Sequence, residues 1–369
     1  MKICLFTPSF LPSVGGMEAV VGKLASEFHS AGHEVLVLAK LARSEQPMPE
    51  LGYEVGRYRR TRSNLYFLGP ASRALRKEHA RRNFDIIHCH SIYPNGYVAA
   101  KLKAKLRSAV VVTCHGGDLR RFSRKLLARH RLRWTALQAD ATTCVSAGLK
   151  QSLDNLVGMT TQACVIPNGV DPAVAPPDRP CEAFSELAKS PFLLTLGRLH
   201  RYKGLDVLLN ALAIMQNDGL TPPTVVIAGE GKEGDNLRSL AKTLGVNDSV
   251  HFVGNVQGNN KSWLLANCLF FLQPSRQEGM PLTVLEAMAY GKAVLGTKIT
   301  GTEELVTDGL NGALVSPEDA GSLAKAICRL TPGGTLRELG KHAKSLAQRM
   351  SWHSIAERYL ELFEGIRSV

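Results

Sequence analysis

The feature that most constrains the fold of this 369-residue chain is a repeated alternation of short apolar runs and helix-patterned segments. Runs such as KICLF (2–6) and AVVVTC (109–114) are typical of buried strands, and MEAVVGKLASEFHSAG (17–32) follows the helical period. The segment DPAVAPPDRP (171–180) has four prolines in ten residues, which excludes a helix or a central strand. We interpret it as a linker.

The same alternation restarts after the linker. PFLLTL (191–196) and PTVVIAG (223–229) are predicted strands, and LDVLLNALAIMQ (205–216) is a predicted helix. Two such arrays predict two doubly wound α/β domains. Because ligands of these sheets bind at the carboxyl ends of the strands, we expect the site in a cleft between the domains.

The charge of the chain is concentrated in its first half. Residues 1–170 hold 25 Lys and Arg against 11 Asp and Glu, whereas residues 171–369 hold 20 against 21. The basic clusters are at 57–62, 73–82, 101–107 and 120–133. Such a face favours an anionic partner, whether a membrane surface, a nucleic acid or an acidic substrate.

Hydropathy and cysteine usage indicate the compartment. No stretch reaches the roughly 20 consecutive apolar residues of a membrane span, and the start has no signal-peptide pattern. The eight cysteines are scattered, form no CxxC and mostly sit in apolar runs, which predicts reduced thiols. We therefore expect a cytoplasmic protein.

Two carboxylates eight positions apart flank a proline in SRQEGMPLTVLEAMAYG (275–291). Pro281 suits the first position of a helix, and Gly291 suits the position after its end. Glu278 then precedes the helix and Glu286 lies in its second turn. The first-turn N–H groups, near Leu282, form an anion site, while carboxylates accept hydrogen bonds from sugar hydroxyls. A nucleotide sugar carries both groups; exposed surface acids are the alternative interpretation.

Two other loops follow predicted strands of the second array. GRLHRYKG (197–204) places Arg198 and Lys203 where they could neutralise a diphosphate leaving group, although a solvated basic loop is the alternative. GEGKEG (229–234) matches G-x-G-x-x-G, but no acid follows about 20 residues later, which argues against a dinucleotide fold. These glycines either let the backbone approach a ligand or form a tight turn.

The first array has its own glycine-rich strand ends. Gly15 and Gly16 follow the first strand, and they fit either a close ligand approach or a turn. In TCHGGD (113–118), His115 ends an apolar strand and fits either a contact to a reacting sugar or a structural role. HCH (88–90) shows no wider ligand cluster, so we favour a structural role over a metal site.

Together these motifs resemble the family 4 retaining glycosyltransferases. The resemblance rests on E-x7-E at 278–286, GRLHRYKG, GEG, HFVGNV (251–256), IPNGVD (166–171), Gly15-Gly16 and TCHGGD, in order over nearly the whole chain. It implies the GT-B fold, with two Rossmann-like doubly wound domains facing a central cleft. The expected boundaries are 1–170 for an acceptor domain joined by helix 351–369, and 171–350 for the nucleotide-sugar domain.

The resemblance also implies a hexosyltransferase and a set of site residues. Catalytic roles fall on His115, beside the reacting sugar, and Glu278. Donor binding falls on Gly16, Arg198, Lys203, Gly279, Met280, Pro281, Leu282 and Glu286, and the nucleobase vicinity on Gly229, Val253 and Gly254. No cofactor or metal is expected, and the transfer would be a same-face reaction with an oxocarbenium-like transition state.

Two positions depart from the family pattern. ITGTEE (299–304) keeps Gly301 but has Thr302 where many relatives have a second glycine, and Met280 replaces a common phenylalanine. Phosphate binding remains compatible with both changes, whereas the identity of the sugar is left open.

The acceptor side is predicted from LRRFSRKLLARHRLRW (119–134), which spaces Leu119, Phe122, Leu126, Leu127 and His130 almost as a helix. We interpret the segment as an interfacial helix at the inner face of the cytoplasmic membrane, with a solvated basic helix as the alternative. Its acceptor or membrane face would comprise Arg120, Arg121, Phe122, Arg124, Lys125 and Arg129.

The expected partners are a nucleotide-sugar donor, a glycan or lipid-linked acceptor of the bacterial envelope, and an anionic membrane surface. Nucleic acid is not expected, because no RNP-like or helix-turn-helix pattern is present. The alternatives are a nucleotide-sugar epimerase of the same fold, a soluble-acceptor synthase and, least favoured, a basic nucleic-acid-binding protein.

Overall fold

The computed structural model describes residues 1–13, 15–42, 48–59, 68–332 and 334–367. Within the basic cluster 57–62, residues 60–62 lie outside the described residues. The chain divides into two compact units, one of residues 1–169 and 352–369 and the other of residues 170–351. The proline-rich segment 171–180 contains no helix or strand, as its composition predicts.

The first unit is built on a seven-stranded parallel sheet with the order β3-β2-β1-β4-β5-β6-β7. Its strands are β1 (Lys2–Thr7), β2 (Glu34–Lys40), β3 (Glu54–Tyr58), β4 (Ile86–Cys89), β5 (Ala109–Cys114), β6 (Ala141–Cys144) and β7 (Cys164–Val165). The strand order reverses between β1 and β4. Loops that leave this point of a parallel sheet diverge and open a crevice at the carboxyl edge.

Helices connect these strands as parallel pairing requires. They are α1 (Gly16–Ser30), α2 (Leu68–Arg82), α3 (Tyr97–Leu106), α4 (Gly117–Phe122), α5 (Leu126–Gln138) and α6 (Ala147–Val157). A buried turn over Ile92–Gly96, in which Tyr93 is extended, precedes α3. The apolar runs of β1 and β5 are almost wholly buried, because helices cover both faces of a sheet of this type.

The second unit repeats the architecture with a six-stranded parallel sheet, in the order β10-β9-β8-β11-β12-β13. Its strands are β8 (Phe192–Leu196), β9 (Thr224–Ala228), β10 (Val250–Gly254), β11 (Phe271–Gln273), β12 (Val294–Thr297) and β13 (Gly312–Val315). Its helices are α7 (Leu205–Asn217), α8 (Gly234–Thr243), α9 (Gly258–Asn267), α10 (Leu282–Ala289), α11 (Ala320–Leu330) and α12 (Leu336–Gln348). Here the order reverses between β8 and β11.

The last helix, α13 (Trp352–Arg367), belongs to the first unit. Its Phe363 ring lies 5.7 Å from the Phe28 ring of α1, and the Tyr359 hydroxyl lies 3.3 Å from Thr113 Oγ1 at the end of β5. Gly169 permits the chain to pass this helix, because a Cβ there would lie 2.8 Å from the Trp352 Cα. The apolar stripe of α13 thus completes the core of the first unit.

Three details differ from the sequence predictions. Strands β3 and β13 were not predicted; both are edge strands, which lack a long apolar run. Pro281 is the N-cap of α10 rather than its first helical residue, with ψ of 112° that places it in the extended region. Gly291 follows the C-cap residue Tyr290 with φ of +70°, as predicted for the position after the helix.

The third difference concerns the predicted interfacial helix. The segment 119–134 is not one helix, because α4 ends at Phe122 and α5 begins at Leu126. Leu119 is buried, and the Phe122 ring packs edge-on against Tyr93 at 5.0 Å. The prediction of one interfacial helix over 119–134 is therefore wrong, since the segment forms two helices and these two side chains pack against the protein.

Candidate functional site

An ion pair lies where the strand order of the second unit reverses. Lys203, in the loop after β8, donates to Oε1 of Glu278, in the loop after β11, at 2.7 Å. The same oxygen accepts from Gln273 Nε2 at 2.7 Å and from Ser275 Oγ at 2.8 Å. The side chains of Lys203 and Glu278 are only 14% and 11% exposed. Three donors on one oxygen hold the carboxylate rigidly.

Two oxygens in the first two turns of α10, the helix that follows the Glu278 loop, have no hydrogen-bond partner among the described residues. Glu286 Oε1 accepts from Lys261 of α9 at 2.7 Å, but its buried Oε2 has no hydrogen-bond partner in the described part of the chain. The buried hydroxyl of Thr283, three residues earlier and on the same helix face, also lacks a partner among the residues that the structure describes. Buried polar atoms normally find partners, so these two indicate a site that a polar ligand completes.

Glycines bring the loops around the ion pair into backbone contact. A Cβ on Gly229, where φ is +143°, would lie 1.8 Å from the carbonyl oxygen of Gly197. The N–H of Gly229 donates to the carbonyl of Gly254 at 2.6 Å. A Cβ on Gly301, where φ is +81°, would lie 2.2 Å from the carbonyl of Gly279. These glycines therefore serve close packing between loops, which is a third role beside the two predicted for Gly229.

Arg276 fixes the outer part of the same loop. Its guanidinium donates to both oxygens of Asp206 at 2.6 and 2.7 Å and also pairs with Glu318. The hydrogen bonds to Asp206 and then Glu318 raise the pKa of Arg276, so it remains charged at any physiological pH. The loop that carries Glu278 is thereby tied to α7 and to the segment before α11.

Histidines cluster at the strand ends of the first unit. His90 Nδ1 lies 3.2 Å from His115 Nε2, with stacked rings, and His88 Nε2 lies 2.7 Å from Thr113 Oγ1. Burial lowers the pKa of His115 to about 4. Burial and then the proximity of His115 lower the pKa of His88 to about 3, and the pKa of His90 is also well below its ordinary value. All three imidazoles are neutral at pH 7.

Asp118 connects the two loops that carry these rings. Its buried carboxylate accepts from the N–H of Ile92 at 2.6 Å and from the N–H of Leu119 at 3.1 Å. Desolvation raises the pKa of Asp118.

Gly16 begins α1, where a Cβ would meet no described atom within 4 Å. Nothing among the described neighbours of Gly16 therefore requires a glycine there.

The remaining predicted donor residues lie in the second unit as follows. Arg198 is exposed in the loop after β8, and Met280 is buried. Pro281 is the N-cap of α10, and Leu282 is its first residue. Val253 is partly buried near the end of β10. The second unit thus groups its predicted donor residues at the carboxyl edge of one sheet, whereas Gly16 and His115 lie at the carboxyl edge of the other.

The predicted acceptor or membrane face is mostly solvent-accessible. Its exposed members are Arg120, Arg121, Arg124, Lys125 and Arg129, whereas Phe122 is partly buried. In the described part of the chain, no helix is long and apolar enough to cross a bilayer. Within the same residues, no group of three or more His, Cys, Asp or Glu side chains could hold a metal ion.

The sequence interpretation missed Gln273, Ser275 and Lys261. Gln273 is 1% exposed at the end of an otherwise apolar strand, and a buried amide in that position signals a hydrogen-bonding role. Ser275 follows two residues later and is equally buried. Lys261 had no comparable signal, because its partner Glu286 lies on a different helix.

Two family models of glycosyltransferases match this chain. The family model "Glycosyltransferase Family 4" matches residues 14–174, and the model "Glycosyl transferases group 1" matches residues 182–346. Together the two models span most of the chain, one on each side of the linker.

Individual relatives extend the similarity along the chain. The N-acetyl-alpha-D-glucosaminyl L-malate synthase of Bacillus anthracis is 26% identical, over 96% of this chain and 95% of its own. The phosphatidyl-myo-inositol mannosyltransferase of Mycolicibacterium smegmatis is 25% identical, over 99% of this chain and 94% of its own. The structure of Anabaena HepE in complex with UDP superposes with a TM-score of 0.82 at 21% identity, covering 99% of this chain and 100% of that one.

The two parallel-sheet units are those of the GT-B fold, and the predicted fold class and enzyme class are confirmed. The chain belongs to the family 4 glycosyltransferases and is a hexosyltransferase.

Proposed function

We propose that the protein transfers a hexosyl group from a nucleoside-diphosphate sugar to an acceptor hydroxyl with retention of anomeric configuration. The proposed acceptor is a lipid-linked or other envelope glycan, reached at the inner face of the cytoplasmic membrane. One observation carries the donor proposal: the Lys203–Glu278 pair lies where the strand order reverses between β8 and β11, and the helix that follows its loop holds two buried oxygens without a hydrogen-bond partner among the described residues. Cation, helix N-terminus and free carboxylate oxygen together suit a nucleotide sugar.

The donor would be held by charge and backbone. Arg198 and Lys203 would neutralise the diphosphate. The backbone N–H groups of Gly279, Met280 and Leu282 would add hydrogen bonds at the start of α10. The Oε2 of Glu286, which is buried and has no hydrogen-bond partner in the described ranges of the chain, would accept a hydrogen bond from a ribose hydroxyl. Support comes from the structural neighbour HepE, which was solved with UDP and with UDP-glucose.

The nucleobase would lie beside the loops after β9 and β10. The backbone hydrogen bond from Gly229 to Gly254 holds these loops together, and Val253 offers an apolar contact. Because these contacts are mostly backbone, they favour a planar base without selecting one by side-chain hydrogen bonds.

The proposed roles of the first unit are substrate contacts. At Gly16 the absence of any described atom near a Cβ fits a close approach by a phosphate. His115, neutral at pH 7, would contact the sugar as a hydrogen-bonding group and not as a cation. His90 covers one side of the His115 ring, since His90 Nδ1 lies 3.2 Å from His115 Nε2. A substrate would therefore approach the His115 ring from another side.

In the proposed reaction the acceptor oxygen forms a bond to the anomeric carbon on the face from which the diphosphate departs. The acceptor proton passes to a departing phosphate oxygen, so no protein nucleophile and no metal is required. The rate would depend on stabilising the developing negative charge, which is the task assigned to Lys203, Arg198 and the α10 N–H groups.

The acceptor proposal rests on the exposed basic face of α4 and α5. A phosphatidyl-inositol mannosyltransferase among the relatives acts on a lipid by its name, which supports a membrane-associated acceptor here. Each basic residue near an anionic surface contributes about 1 kcal/mol, so the five exposed cations named above suffice for reversible docking.

The test begins with thermal stabilisation by UDP, GDP and ADP and by their common sugar conjugates. Arg198→Ala should abolish the shift, whereas Arg201→Ala, an exposed arginine in the same loop, should retain it. The stabilising donor, carrying a labelled sugar, is then incubated with envelope extracts, and the anomeric configuration of the product is determined by NMR.

Other outcomes would support the rival functions. Interconversion of the free nucleotide sugar without any acceptor would identify an epimerase, and transfer to a soluble sugar alone would identify a soluble-acceptor synthase. Salt-sensitive RNA binding with no stabilisation by any nucleotide would contradict the proposal altogether.

A further inference from the structure

A cavity of about 250 Å³ lies in the first unit between helices α3 and α5, outside the candidate donor site. Its lining combines aromatic rings, cations and one leucine: Tyr97, Lys101, Leu127, His130, Arg131 and Trp134. A cavity with this lining suits a ligand that is both negatively charged and partly apolar.

Its two cations are held in place by rings and not by carboxylates. Lys101 Nζ lies 4.5 Å from the centre of the Trp134 ring, and the Arg131 guanidinium lies 5.3 Å from that of Tyr97. Within the described residues neither cation pairs with an acid, whereas Lys103, on the same helix, pairs with Asp140 at 2.6 Å. Ring faces orient these charges without neutralising them, so both remain available to an anion.

The rim of the cavity is apolar at the start of α5. Leu126 is 87% exposed and Leu127 is 58% exposed, although leucine is usually buried. Exposed basic residues flank both leucines, among them Arg124, Lys125 and Arg129. Adjacent leucines within a basic surface are typical of segments that enter the headgroup region of an anionic membrane.

We propose that this cavity binds the phosphate-bearing headgroup of an anionic membrane lipid, while Leu126 and Leu127 insert among the adjoining acyl chains. Lys101 and Arg131 contact the phosphate from two sides of the cavity. The inference rests on the proposed membrane docking and adds to it a specific headgroup site. A free phosphate or a nucleic acid would satisfy the cations but leave the leucines exposed, which is why we favour a lipid.

The first experiment measures binding of the full chain to phosphatidylcholine vesicles with and without phosphatidylglycerol. The double variant Lys101→Gln/Arg131→Gln removes the two cavity cations. Its matched control, Lys105→Gln/Arg133→Gln, removes two exposed cations from the same helices. We expect the cavity variant to weaken binding to the anionic vesicles roughly 30-fold. The loss of binding in the control variant should be several-fold smaller than this, because only the cavity cations contact a headgroup.

The second experiment tests the leucines and reads the cavity directly. Leu126→Ser should weaken vesicle binding about tenfold, whereas Leu137→Ser, 46% exposed on the same helix, should leave it unchanged. Trp134 lines the cavity, and the other two tryptophans, Trp263 and Trp352, are at most 5% exposed. A fluorescence shift on adding anionic vesicles should therefore disappear in Trp134→Phe.

The outcomes separate this inference from the proposed function. Equal losses in the cavity variant and its control would overturn the headgroup site while leaving general docking intact. A saturable change in Trp134 fluorescence on adding glycerol phosphate, as large as the change on adding vesicles, would identify a small-anion site instead. Oligonucleotide binding that needs Lys101 but not Leu126 would identify a nucleic-acid site. No vesicle binding at all would remove both docking and cavity site, and sugar transfer to a soluble acceptor would remain measurable.

Discussion

The burial of the Lys203–Glu278 pair permits a quantitative prediction about the stability of the second unit. Its side chains are largely buried, and Glu278 Oε1 accepts from Lys203, Gln273 and Ser275. Glu278→Ala would remove the acceptor of a buried ammonium and of two further donors, of which Gln273 Nε2 keeps its hydrogen bond to Ser275 Oγ at 3.0 Å. Removing one partner of such a pair costs about 3–5 kcal/mol, and because a little solvent reaches this one we expect about 3 kcal/mol.

A double-mutant cycle isolates the pair itself. Lys203→Met and Glu278→Gln should each destabilise the unit, but the double variant should be about 2 kcal/mol more stable than the sum of the single effects predicts. The exposed pair Lys341–Glu338, 2.6 Å apart with side chains 59% and 66% exposed, serves as the control. Its cycle should give at most about 0.5 kcal/mol.

Native-state hydrogen exchange is the suitable assay, because the chain has two units and global unfolding need not be two-state. The free energy of local opening is measured on peptides that contain β8 and α10. A coupling energy for Lys203 and Glu278 no larger than that of the exposed control pair would refute the reasoning. It would mean that solvent screens the pair despite its burial.

Three further predictions concern protonation and backbone geometry. Because the pKa of His115 is lowered to about 4, the pH profile of sugar transfer should show no histidine limb near pH 6.5; such a limb that disappeared in His115→Asn would contradict this. The folded-state pKa of His88 is about 3, below its ordinary value of 6.5, so its contribution to stability is complete above pH 6.5 and is lost as pH falls towards 3. Between pH 7 and 5 wild type should therefore lose about 2 kcal/mol more than His88→Gln in urea unfolding followed by near-UV circular dichroism. Gly301→Ala should abolish nucleotide-dependent thermal stabilisation, because its Cβ would meet the carbonyl of Gly279 at 2.2 Å, whereas Gly309→Ala, also at positive φ but with open space, should lower the melting temperature slightly and retain the stabilisation.

Much of the fold could be predicted because buried parallel strands are locally apolar. PFLLTL and AVVVTC identify β8 and β5 without any knowledge of their neighbours. The edge strands β3 and β13 were not predicted, because neither has a long buried apolar run. β3 (EVGRY) is only partly buried, and β13 has four residues, too few for a periodic pattern to separate it from a turn.

The residues of the candidate site could be predicted from the sequence, whereas the contacts between them could not. Glu278 and Lys203 stand out because each follows an apolar strand, and strand ends form one edge of the sheet. Their direct pairing across 75 positions depends on β8 lying next to β11. The same limit applies to the helix predicted over 119–134. Its spacing is helical, but packing of Phe122 on Tyr93 accompanies a break before Leu126.

Local patterns specify the two α/β arrays, the boundary near the prolines, the basic first half and the residue types at the strand ends. These follow from periodicity and composition, which act over a few residues at a time. Three-dimensional packing sets which oxygen of Glu286 has no partner among the described residues. It also sets that Gln273 and Ser275 orient Glu278, and it brings Lys101 and Arg131 to a common cavity. Such contacts join distant segments, and their geometry is set by strand order and helix packing, which no local pattern encodes.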